Sequence, residues 1–373
     1  MATNAVNELP APEHIRAIAP YQAGKPIEEL AREFGLDPAT IVKLASNENP
    51  LGMPETARNA MVAAMEDLGR YPDSNGFALK AALAAKFGVP LDWITLGNGS
   101  NDILELAAAA VLAPGRSCVY ARHSFAVYAL ATQARGARAI VVPARALGHD
   151  LEAMAAAVAD DTALVYVANP NNPTGTYLPA AAIEAFLQRV PSRVVVVLDE
   201  AYNEYLRPEL RTDSVAWVRR HPNLLVSRTF SKAFGLAGLR VGYGIAQPAL
   251  TDLLNRVRQP FNVNAAAQAA AVAALADEGF LARSYALNLS GLQQLTQAFE
   301  ALGLEYVPSY GNFVLVKVGP AGRVYQELLK RGVIVRPVAN YQLPEWLRVS
   351  IGLPGENQRF LDALPDALAA ARS

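Results

Sequence analysis

Apolar and polar positions follow two different patterns along this chain. Between residues 93 and 263, short runs of consecutive apolar residues alternate with longer stretches that have helical spacing. Unbroken β-branched runs are typical of strands buried on both faces, as in a parallel sheet. Strands that alternate with helices predict a mainly parallel, doubly wound sheet, which is an α/β fold. The predicted strands cover residues 93–96, 117–120, 138–142, 163–167, 193–198, 224–227 and 241–245.

The pattern changes after residue 263. Two long helical stretches are followed by three apolar runs, and the predicted elements lie at 265–275, 281–302, 313–318, 333–336 and 347–351. This mixture predicts a second, smaller α+β domain. Near the start of the chain, residues 27–34 have helical spacing, and a turn-rich loop at 44–52 leads into the main domain. We therefore expect a large domain at 46–263, and an N-terminal arm (1–45) that packs with a small C-terminal domain (264–373).

The composition narrows the class of protein. Of 373 residues, 52% are apolar and 18% are charged, which is typical of a compact enzyme and not of a disordered chain. The formal net charge of −1 gives no electrostatic reason to expect nucleic acid or an anionic membrane as a partner. The four histidines are scattered without the spacing of metal ligands, so we expect no metal site.

The same sequence carries information about the compartment. Cys118 is the single cysteine, so an internal disulfide is impossible, which suits a reducing cytoplasm. Residues 1–12 lack the basic start and apolar stretch of a signal peptide. The longest apolar runs, such as 104–113, are too short or too interrupted to span a bilayer. We therefore expect a cytoplasmic protein.

Lys232 lies in the segment with the most informative chemistry. It stands three residues after Thr229, one after Ser231 and eight before Arg240. A lysine amine can form a Schiff base with an aldehyde, while the two hydroxyls and the guanidinium can hold a dianionic phosphate. A lysine beside serines is common on protein surfaces, so this segment needs support from the rest of the chain.

Two upstream segments supply that support. The predicted strand at 193–198 runs into Asp199, and Tyr202 follows closely; open α/β sheets bind ligands at such strand ends. Residues 168–175, which include Asn172, follow another apolar strand and are rich in turn formers. Pyridoxal phosphate requires such a set, because a carboxylate must keep the pyridine nitrogen protonated. We assign Asp199 to that nitrogen, and Asn172 and Tyr202 to the ring hydroxyl.

The motifs NPNNPTG, LDEAY and SKAFGLAGLR occur here in an order and spacing that resembles the fold-type I pyridoxal-phosphate aminotransferases. The resemblance implies that the large domain binds pyridoxal 5'-phosphate. It also implies that the glycine-rich turn at Gly99, Ser100 and Asn101 cradles the cofactor phosphate. From the residues alone, a helix N-cap at Ser100 explains this turn nearly as well.

Two aromatic residues gain a role from the same resemblance. Phe125 occupies the position where the family stacks an aromatic ring on the pyridine, and an ordinary core phenylalanine explains it about equally well. Tyr71, in the segment RYPD, resembles the family's tyrosine that reaches the cofactor phosphate of the neighbouring subunit. If Tyr71 does so, the active unit is a homodimer.

The segments GKPIEEL, KLASNENPLG, RYPD and LRVSIG extend the resemblance to the histidinol-phosphate aminotransferase family over nearly the whole chain. This implies transamination between L-histidinol phosphate and 2-oxoglutarate, forming imidazole acetol phosphate and L-glutamate, in histidine biosynthesis. Arg348, Arg336 and Tyr21 match the family's substrate-binding residues. A surface arginine at a strand end is the alternative for Arg336. A charged residue inside an apolar strand, as at 348, must find a partner or a ligand.

Lys232, Asp199 and Tyr202 are the expected catalytic residues. The freed Lys232 amine would move the proton between the substrate and the cofactor, and ping-pong kinetics should result.

Other functions remain to be weighed. An aromatic amino-acid aminotransferase would share every cofactor residue, and an enzyme similar to threonine-phosphate decarboxylase would share the fold and the phosphate-binding arginines. A nucleoside triphosphatase requires the segment G-x-x-x-x-G-K-[ST], which does not occur in this sequence. A transcription regulator would need an added DNA-binding segment, which we do not expect in this N-terminal part.

Overall fold

The structure, a computed structural model, describes residues 9–21 and 24–372. Residues 1–8 of the expected N-terminal arm, most of the segment considered for a signal peptide, and residues 22, 23 and 373 lie outside the described residues. Within the described ranges, the α-helices are Glu13–Arg16, Ile27–Phe34, Glu55–Ala64, Phe77–Phe87, Ser100–Val111, Ala126–Ala134, Leu151–Ala156, Ala180–Arg189, Ser214–Arg220, Pro248–Val257, Ala265–Ala276, Glu278–Ala301, Ala321–Lys330 and Pro354–Arg372.

The strands are numbered here in chain order. They are β1 (Val42–Lys43), β2 (Ile94–Gly97), β3 (Ser117–Ala121), β4 (Arg138–Val142), β5 (Thr162–Ala168), β6 (Val195–Asp199), β7 (Leu224–Thr229), β8 (Gly242–Ile245), β9 (Tyr306–Val307), β10 (Phe313–Lys317), β11 (Val333–Ile334), β12 (Arg336–Val338) and β13 (Leu343–Ser350).

One large sheet contains all of the strands predicted between residues 93 and 245. Its order is β2-β8-β7-β6-β5-β3-β4, and every neighbouring pair is parallel except those of β8, which runs antiparallel to both β2 and β7. Helices cover both faces, since separate buried clusters pack on either side of β5 to β7. The predicted α/β fold with a mainly parallel, doubly wound sheet is confirmed.

The sheet topology determines where a ligand can bind. Strands β5, β6 and β7 are neighbours and parallel, so their carboxyl ends meet at one edge, at Ala168, Asp199 and Thr229. The chain leaves this edge through polar loops, since the loops must satisfy backbone groups that the strands no longer pair. Open α/β sheets bind ligands at this kind of edge.

The C-terminal third forms a smaller antiparallel sheet, in the order β12-β13-β10-β9, while β1 pairs with β11 in a separate parallel pair. Val42 and Leu44 belong to the same buried cluster as Val314 and Phe360. This packing favours an N-terminal arm that joins the C-terminal part. The proposed division at residues 45/46 and 263/264 stays a prediction.

Most predicted elements have ends within two residues of the observed ones, and three elements differ more. The run at 333–336 is divided into β11 and β12, because the chain passes from one sheet to another at Val335. The strand predicted at 347–351 begins at Leu343, since the exposed residues Pro344 and Glu345 interrupt the apolar pattern of its first half. The helix predicted from residue 281 begins at Glu278, because the Asp277 side chain accepts a hydrogen bond from the Phe280 amide and caps it.

Among the described residues, no single helix has the length and apolar character needed to cross a membrane. One pair, Ala265–Ala276 with Glu278–Ala301, passes that test by length and composition, with a bend of 78° between the two helices.

Candidate active site

A cavity of about 300 Å³ lies at the carboxyl edge of β5, β6 and β7. It brings together residues that are far apart in the chain and were predicted to act together. Of the predicted site residues, Gly99 and Tyr71 do not line this cavity, whereas these do: Tyr21, Ser100, Asn101, Phe125, Asn172, Asp199, Tyr202, Thr229, Ser231, Lys232, Arg240, Arg336 and Arg348.

Lys232 extends into the cavity from the loop after β7. Its Nζ donates to the carbonyl oxygen of Ser46 at 3.0 Å and lies 6.0 Å from the centre of the Tyr202 ring. Burial, followed by the positive charge of Arg348, lowers the pKa of Lys232 to about 8. A larger fraction of this amine is therefore neutral near pH 7 than in an ordinary lysine, and the neutral amine is the form that attacks an aldehyde.

Asp199, the last residue of β6, is 6% exposed. Its Oδ2 accepts a hydrogen bond from the Tyr128 hydroxyl at 2.8 Å, and its Oδ1 accepts one from the Ala201 amide at 3.2 Å. Burial raises the pKa of Asp199 to about 6, although both hydrogen bonds oppose that rise. Since both donors are neutral, a cation in the cavity would stabilise the ionised carboxylate further.

The predicted phosphate-binding residues lie at the start of the helix Ser100–Val111. Arg240 Nη1 donates to Ser231 Oγ at 3.2 Å, and its Nη2 donates to the carbonyl oxygen of Asn98 at 3.2 Å. Gly99 occupies the N-cap position, with φ at 80° and ψ at 172°. The first amides of a helix together with a guanidinium form a site suited to a phosphate.

The alternative explanation of this turn, an N-cap by Ser100, is wrong. Ser100 is the first residue of the helix, and no side chain in the described part of the chain caps it. Asp102 is the acidic residue in the first turn of this helix. Its Oδ2 accepts from the Asn98 amide at 2.9 Å and from Asn262 Nδ2 at 3.0 Å. Its charge therefore orders the loop itself, and the helix start keeps its amides available for an anion.

The turn depends on two close approaches. A Cβ at Gly99 would lie 2.5 Å from Arg240 Nη2, and a Cβ at Gly242 on β8 would lie 2.5 Å from the Ser100 amide nitrogen. Glycine at both positions lets the loop lie between β8 and the arginine side chain. Strand β8 therefore packs against one side of the loop, and the Arg240 guanidinium packs against the other side.

A hydrogen-bonded network around Arg348 forms the wall of the cavity next to the small sheet. Arg348 is buried, with Nη1 donating to Asn172 Oδ1 at 2.6 Å and Nη2 donating to the carbonyl oxygen of Ala45 at 2.7 Å. Its Nε has no hydrogen-bond partner among the described residues, so a donor remains for a ligand. Asn47 Nδ2 donates to the Tyr202 hydroxyl at 3.0 Å, which fixes that ring at the cavity.

Arg336 is brought beside Arg348 by the register of the small sheet. The two residues are Cα partners on the antiparallel strands β12 and β13, and such partners project from the same face. The Arg336 guanidinium also lies 5.7 Å from the centre of the Tyr21 ring. Burial, with a smaller contribution from Arg336, lowers the pKa of Arg348. An anion placed between the two guanidiniums would offset their mutual repulsion.

The two predicted aromatic contacts have different positions. Phe125 lines the cavity, and its ring meets the edge of Tyr128 at 6.0 Å; its stacking on a pyridine stays a prediction. Tyr71 lies away from the cavity, is 81% exposed and stacks on Phe261 at 4.7 Å. Its predicted role in a neighbouring subunit also stays a prediction.

Several residues of the site were missed by the sequence analysis. Ser46, Asn47 and Glu48 line the cavity from the turn-rich loop, and only the concentration of polar residues in that loop could have drawn attention to them. Tyr128 bonds Asp199 from a helix 71 residues earlier in the chain, and the sequence contains no signal for that contact.

These residues fit pyridoxal phosphate. The cavity combines a lysine amine with a lowered pKa, a buried carboxylate without an ionic partner among the described residues, and a phosphate cradle that a single Cβ would fill. Within residues 9–21 and 24–372, no group of three or more His, Cys, Asp or Glu side chains is placed to hold a metal ion.

Comparison with known proteins gives consistent matches. The family model for aminotransferase class I and II matches residues 39–364. The chain is 71% identical to histidinol-phosphate aminotransferase 2 of Ralstonia nicotianae, over 97% of this chain and 98% of that protein. It is 70% identical to histidinol-phosphate aminotransferase 1 of Cupriavidus pinatubonensis, over 96% of each. The crystal structure of histidinol-phosphate aminotransferase from Sinorhizobium meliloti in complex with pyridoxal-5'-phosphate is 30% identical, with a TM-score of 0.88, over 96% of this chain and 97% of that one.

Proposed function

Since the chain belongs to the histidinol-phosphate aminotransferases, within the class I and II aminotransferases, we propose that its cavity transfers the amino group of L-histidinol phosphate to 2-oxoglutarate. The protein is a pyridoxal phosphate-dependent aminotransferase, as its sequence predicted. Histidine biosynthesis is the setting that this reaction serves, and 2-oxoglutarate as the acceptor is part of the proposal.

Lys232 would have two tasks in this reaction. Its amine would bind the aldehyde carbon of the cofactor and, once released by the substrate amine, would carry a proton from one carbon to the next. A lysine with a pKa of about 8 can both accept and return a proton near neutral pH. Pyridoxal phosphate supplies the electron-withdrawing ring that stabilises the charge left when the substrate loses that proton.

The other cofactor residues would hold the ring in place. Asp199 would pair with the protonated ring nitrogen, and Asn172 and Tyr202 would donate to the ring hydroxyl. Asn172 Oδ1 already accepts from Arg348, so its amide nitrogen is the group left to donate. At the other end, the first amides of the helix Ser100–Val111 would bind the cofactor phosphate with Arg240.

Both proposed substrates carry anionic groups, and the second wall of the cavity is cationic. Arg348 and Arg336 lie side by side on β12 and β13, with Tyr21 beside them. A phosphate monoester and a dicarboxylate both suit guanidinium groups. One pair of arginines can therefore serve the two half-reactions in turn.

A homodimer is also part of the proposal. Large apolar side chains between residues 62 and 77 are exposed in the single chain, and these are Val62, Met65, Leu68, Tyr71 and Phe77. Such a concentration is typical of an interaction surface. Tyr71 would then act at the neighbouring site, and the dimer would work in the cytoplasm. Sedimentation should give twice the chain mass, and Tyr71→Ala should weaken cofactor binding although Tyr71 lies outside its own cavity.

The observation that carries the proposed function is the placement of Lys232, Asp199 and the arginine pair around one cavity. The test is a set of half-reactions, in which the visible spectrum of the loaded enzyme is followed as histidinol phosphate, phenylalanine or threonine phosphate is added. We expect histidinol phosphate to change the visible absorbance of the bound cofactor fastest. Faster conversion by phenylalanine, or carbon dioxide release from threonine phosphate, would contradict the proposed substrate.

A further inference from the structure

Tyr128 lines the cavity and contacts Asp199, the carboxylate assigned to the ring nitrogen. Its hydroxyl donates to Asp199 Oδ2 at 2.8 Å, and both side chains are buried. The second oxygen, Oδ1, accepts from the Ala201 amide. Each oxygen of Asp199 therefore faces a hydrogen-bond donor supplied by the protein.

The position of Tyr128 is fixed by its neighbours. Its ring stacks on Tyr166 with centroids 4.5 Å apart and planes 6° apart, and Phe125 meets it edge-on. Tyr166 is anchored in turn, because its hydroxyl donates to the carbonyl oxygen of Leu104 at 2.8 Å. With its ring held in this way, the Tyr128 hydroxyl remains directed at Asp199.

Two donors on one carboxyl group favour its ionised form. If Asp199 were protonated, the oxygen that carries the proton could no longer accept the hydrogen bond from its present donor, Tyr128 or Ala201. The carboxylate accepts from both donors. Burial raises the pKa of Tyr128 well above its ordinary value, so its hydroxyl stays protonated and cannot remove the proton from Asp199. The arrangement thus opposes the effect of burial on the carboxylate.

We propose that Tyr128 is a positioning residue that holds Asp199 as a carboxylate ready to pair with the protonated ring nitrogen of pyridoxal phosphate. This inference rests on the proposed function, since it names the group that prepares the cofactor-binding carboxylate. Tyr128 acts through its hydrogen bond to Asp199, whereas the Lys232 amine donates to Ser46. Its contribution is therefore to cofactor capture and to the charge state of the ring.

The stack offers a matched control. Tyr128 and Tyr166 are both fully buried tyrosines with one hydroxyl bond each, but only Tyr128 bonds Asp199. Tyr128→Phe and Tyr166→Phe each remove one hydroxyl and keep the ring stack. A purely structural role predicts that both variants lose stability and that neither changes cofactor binding specifically.

The experiment measures pyridoxal phosphate binding by the cofactor-free wild-type, Tyr128→Phe and Tyr166→Phe proteins between pH 6 and pH 8.5, together with their melting temperatures. Hydrogen bonds to charged groups are stronger than neutral ones, so we expect Tyr128→Phe to bind the cofactor roughly tenfold more weakly near pH 6.5. The deficit should shrink towards pH 8.5, where Asp199 is ionised in both proteins. Tyr166→Phe should bind within about twofold of the wild type at every pH, because it leaves the Asp199 bonds in place.

The inference requires that the pH-dependent difference in cofactor affinity between Tyr128→Phe and the wild type comes from the ionisation of Asp199. The other titratable groups around Asp199 are Glu200, Tyr128, Tyr166 and Tyr202. Lys232 lines the same cavity and, with its pKa lowered to about 8, also titrates in this range. Its titration is common to all three proteins, so the comparison between the two variants isolates Asp199. The tyrosines stay neutral across this range, since burial raises the pKa of each. Glu200 is held by Arg228 in all three proteins, with Nη2 2.8 Å from its Oε2.

Equal binding by the two phenylalanine variants at every pH would overturn the role of Tyr128. A second measurement guards against misfolding: the pH titration of the visible absorbance of each cofactor-loaded protein should shift in Tyr128→Phe and not in Tyr166→Phe. Unshifted titrations in both would also overturn the inference. Failure of the proposed function has a separate signature, which is a wild-type protein that binds the cofactor but does not convert histidinol phosphate.

Discussion

Replacing Gly99 by alanine should selectively weaken binding of the cofactor phosphate. The new Cβ would lie 2.5 Å from Arg240 Nη2, which is too close for two heavy atoms that are not bonded. The loop cannot retreat, because Gly242 on β8 is already in close contact with the backbone of Gly99 and Ser100. The flexible side chain of Arg240 must therefore move.

The magnitude follows from the contacts that Arg240 makes. Its displacement breaks the hydrogen bonds to Ser231 Oγ and the carbonyl oxygen of Asn98 and removes the guanidinium from the phosphate position. One charge-assisted hydrogen bond contributes about 1.5–3 kcal/mol, so the affinity for pyridoxal phosphate should fall roughly 10- to 100-fold. The backbone of Gly99, with φ at 80° and ψ at 172°, adds a stability cost of about 1–3 kcal/mol.

The assay compares two ligands and two variants. Cofactor-free protein is titrated with pyridoxal phosphate and with pyridoxal, which lacks the phosphate, and melting is followed in parallel. Gly115→Ala is the control, because Gly115 also has a positive φ of 86° but has nothing within 4 Å of an added Cβ. We expect Gly115→Ala to lose stability and retain cofactor affinity.

The comparison of ligands makes the reasoning refutable. Gly99→Ala should bind pyridoxal nearly as well as the wild type, since only the phosphate end is disturbed. Equal losses for pyridoxal and pyridoxal phosphate would show that the substitution disturbs the whole cavity. Unchanged affinity for pyridoxal phosphate would show that Arg240 does not hold the phosphate.

Three further results are expected. The rate at which the cofactor-free enzyme captures pyridoxal phosphate should rise with pH and level off above about 8, because the pKa of Lys232 is lowered; a rate that keeps rising towards 10.5, the ordinary value for lysine, would contradict this. Arg348→Ala should raise the KM for both glutamate and histidinol phosphate by roughly tenfold or more, and a change for one substrate alone would show separate anion sites. Arg228→Met, which strands the buried Glu200 carboxylate, should lower the free energy of unfolding by about 3–5 kcal/mol in denaturant titrations, and the added change Glu200→Gln should recover part of it.

The sequence predicted the large sheet well because its strands are apolar on both faces. Each of β2 to β8 corresponds to a predicted run, and β4 matches its predicted bounds, 138–142. The small sheet was less predictable. Val335 is as apolar as Val333 and Ile334 before it, and only the change of pairing partner divides β11 from β12.

The site residues also divide into those that the sequence could predict and those that it could not. Lys232 and Asp199 could be predicted because each lies in a recognisable segment of the chain, at or just after the end of a strand. The contact of Gly99 with Arg240 and the bond from Tyr128 to Asp199 could not, since each joins residues from separate segments. Both contacts are set by how the helices are placed against the sheet, which local sequence patterns do not contain.

The central claim is that Lys232 forms the covalent link to pyridoxal phosphate in the cavity above Asp199. Adding the cofactor, reducing the mixture with borohydride and sequencing the peptides by mass spectrometry identifies the linked residue directly. We predict one stoichiometric adduct on Lys232, and none on the solvent-exposed Lys86 or Lys330 beyond background. An adduct on another lysine, with Lys232 unmodified, would contradict the account.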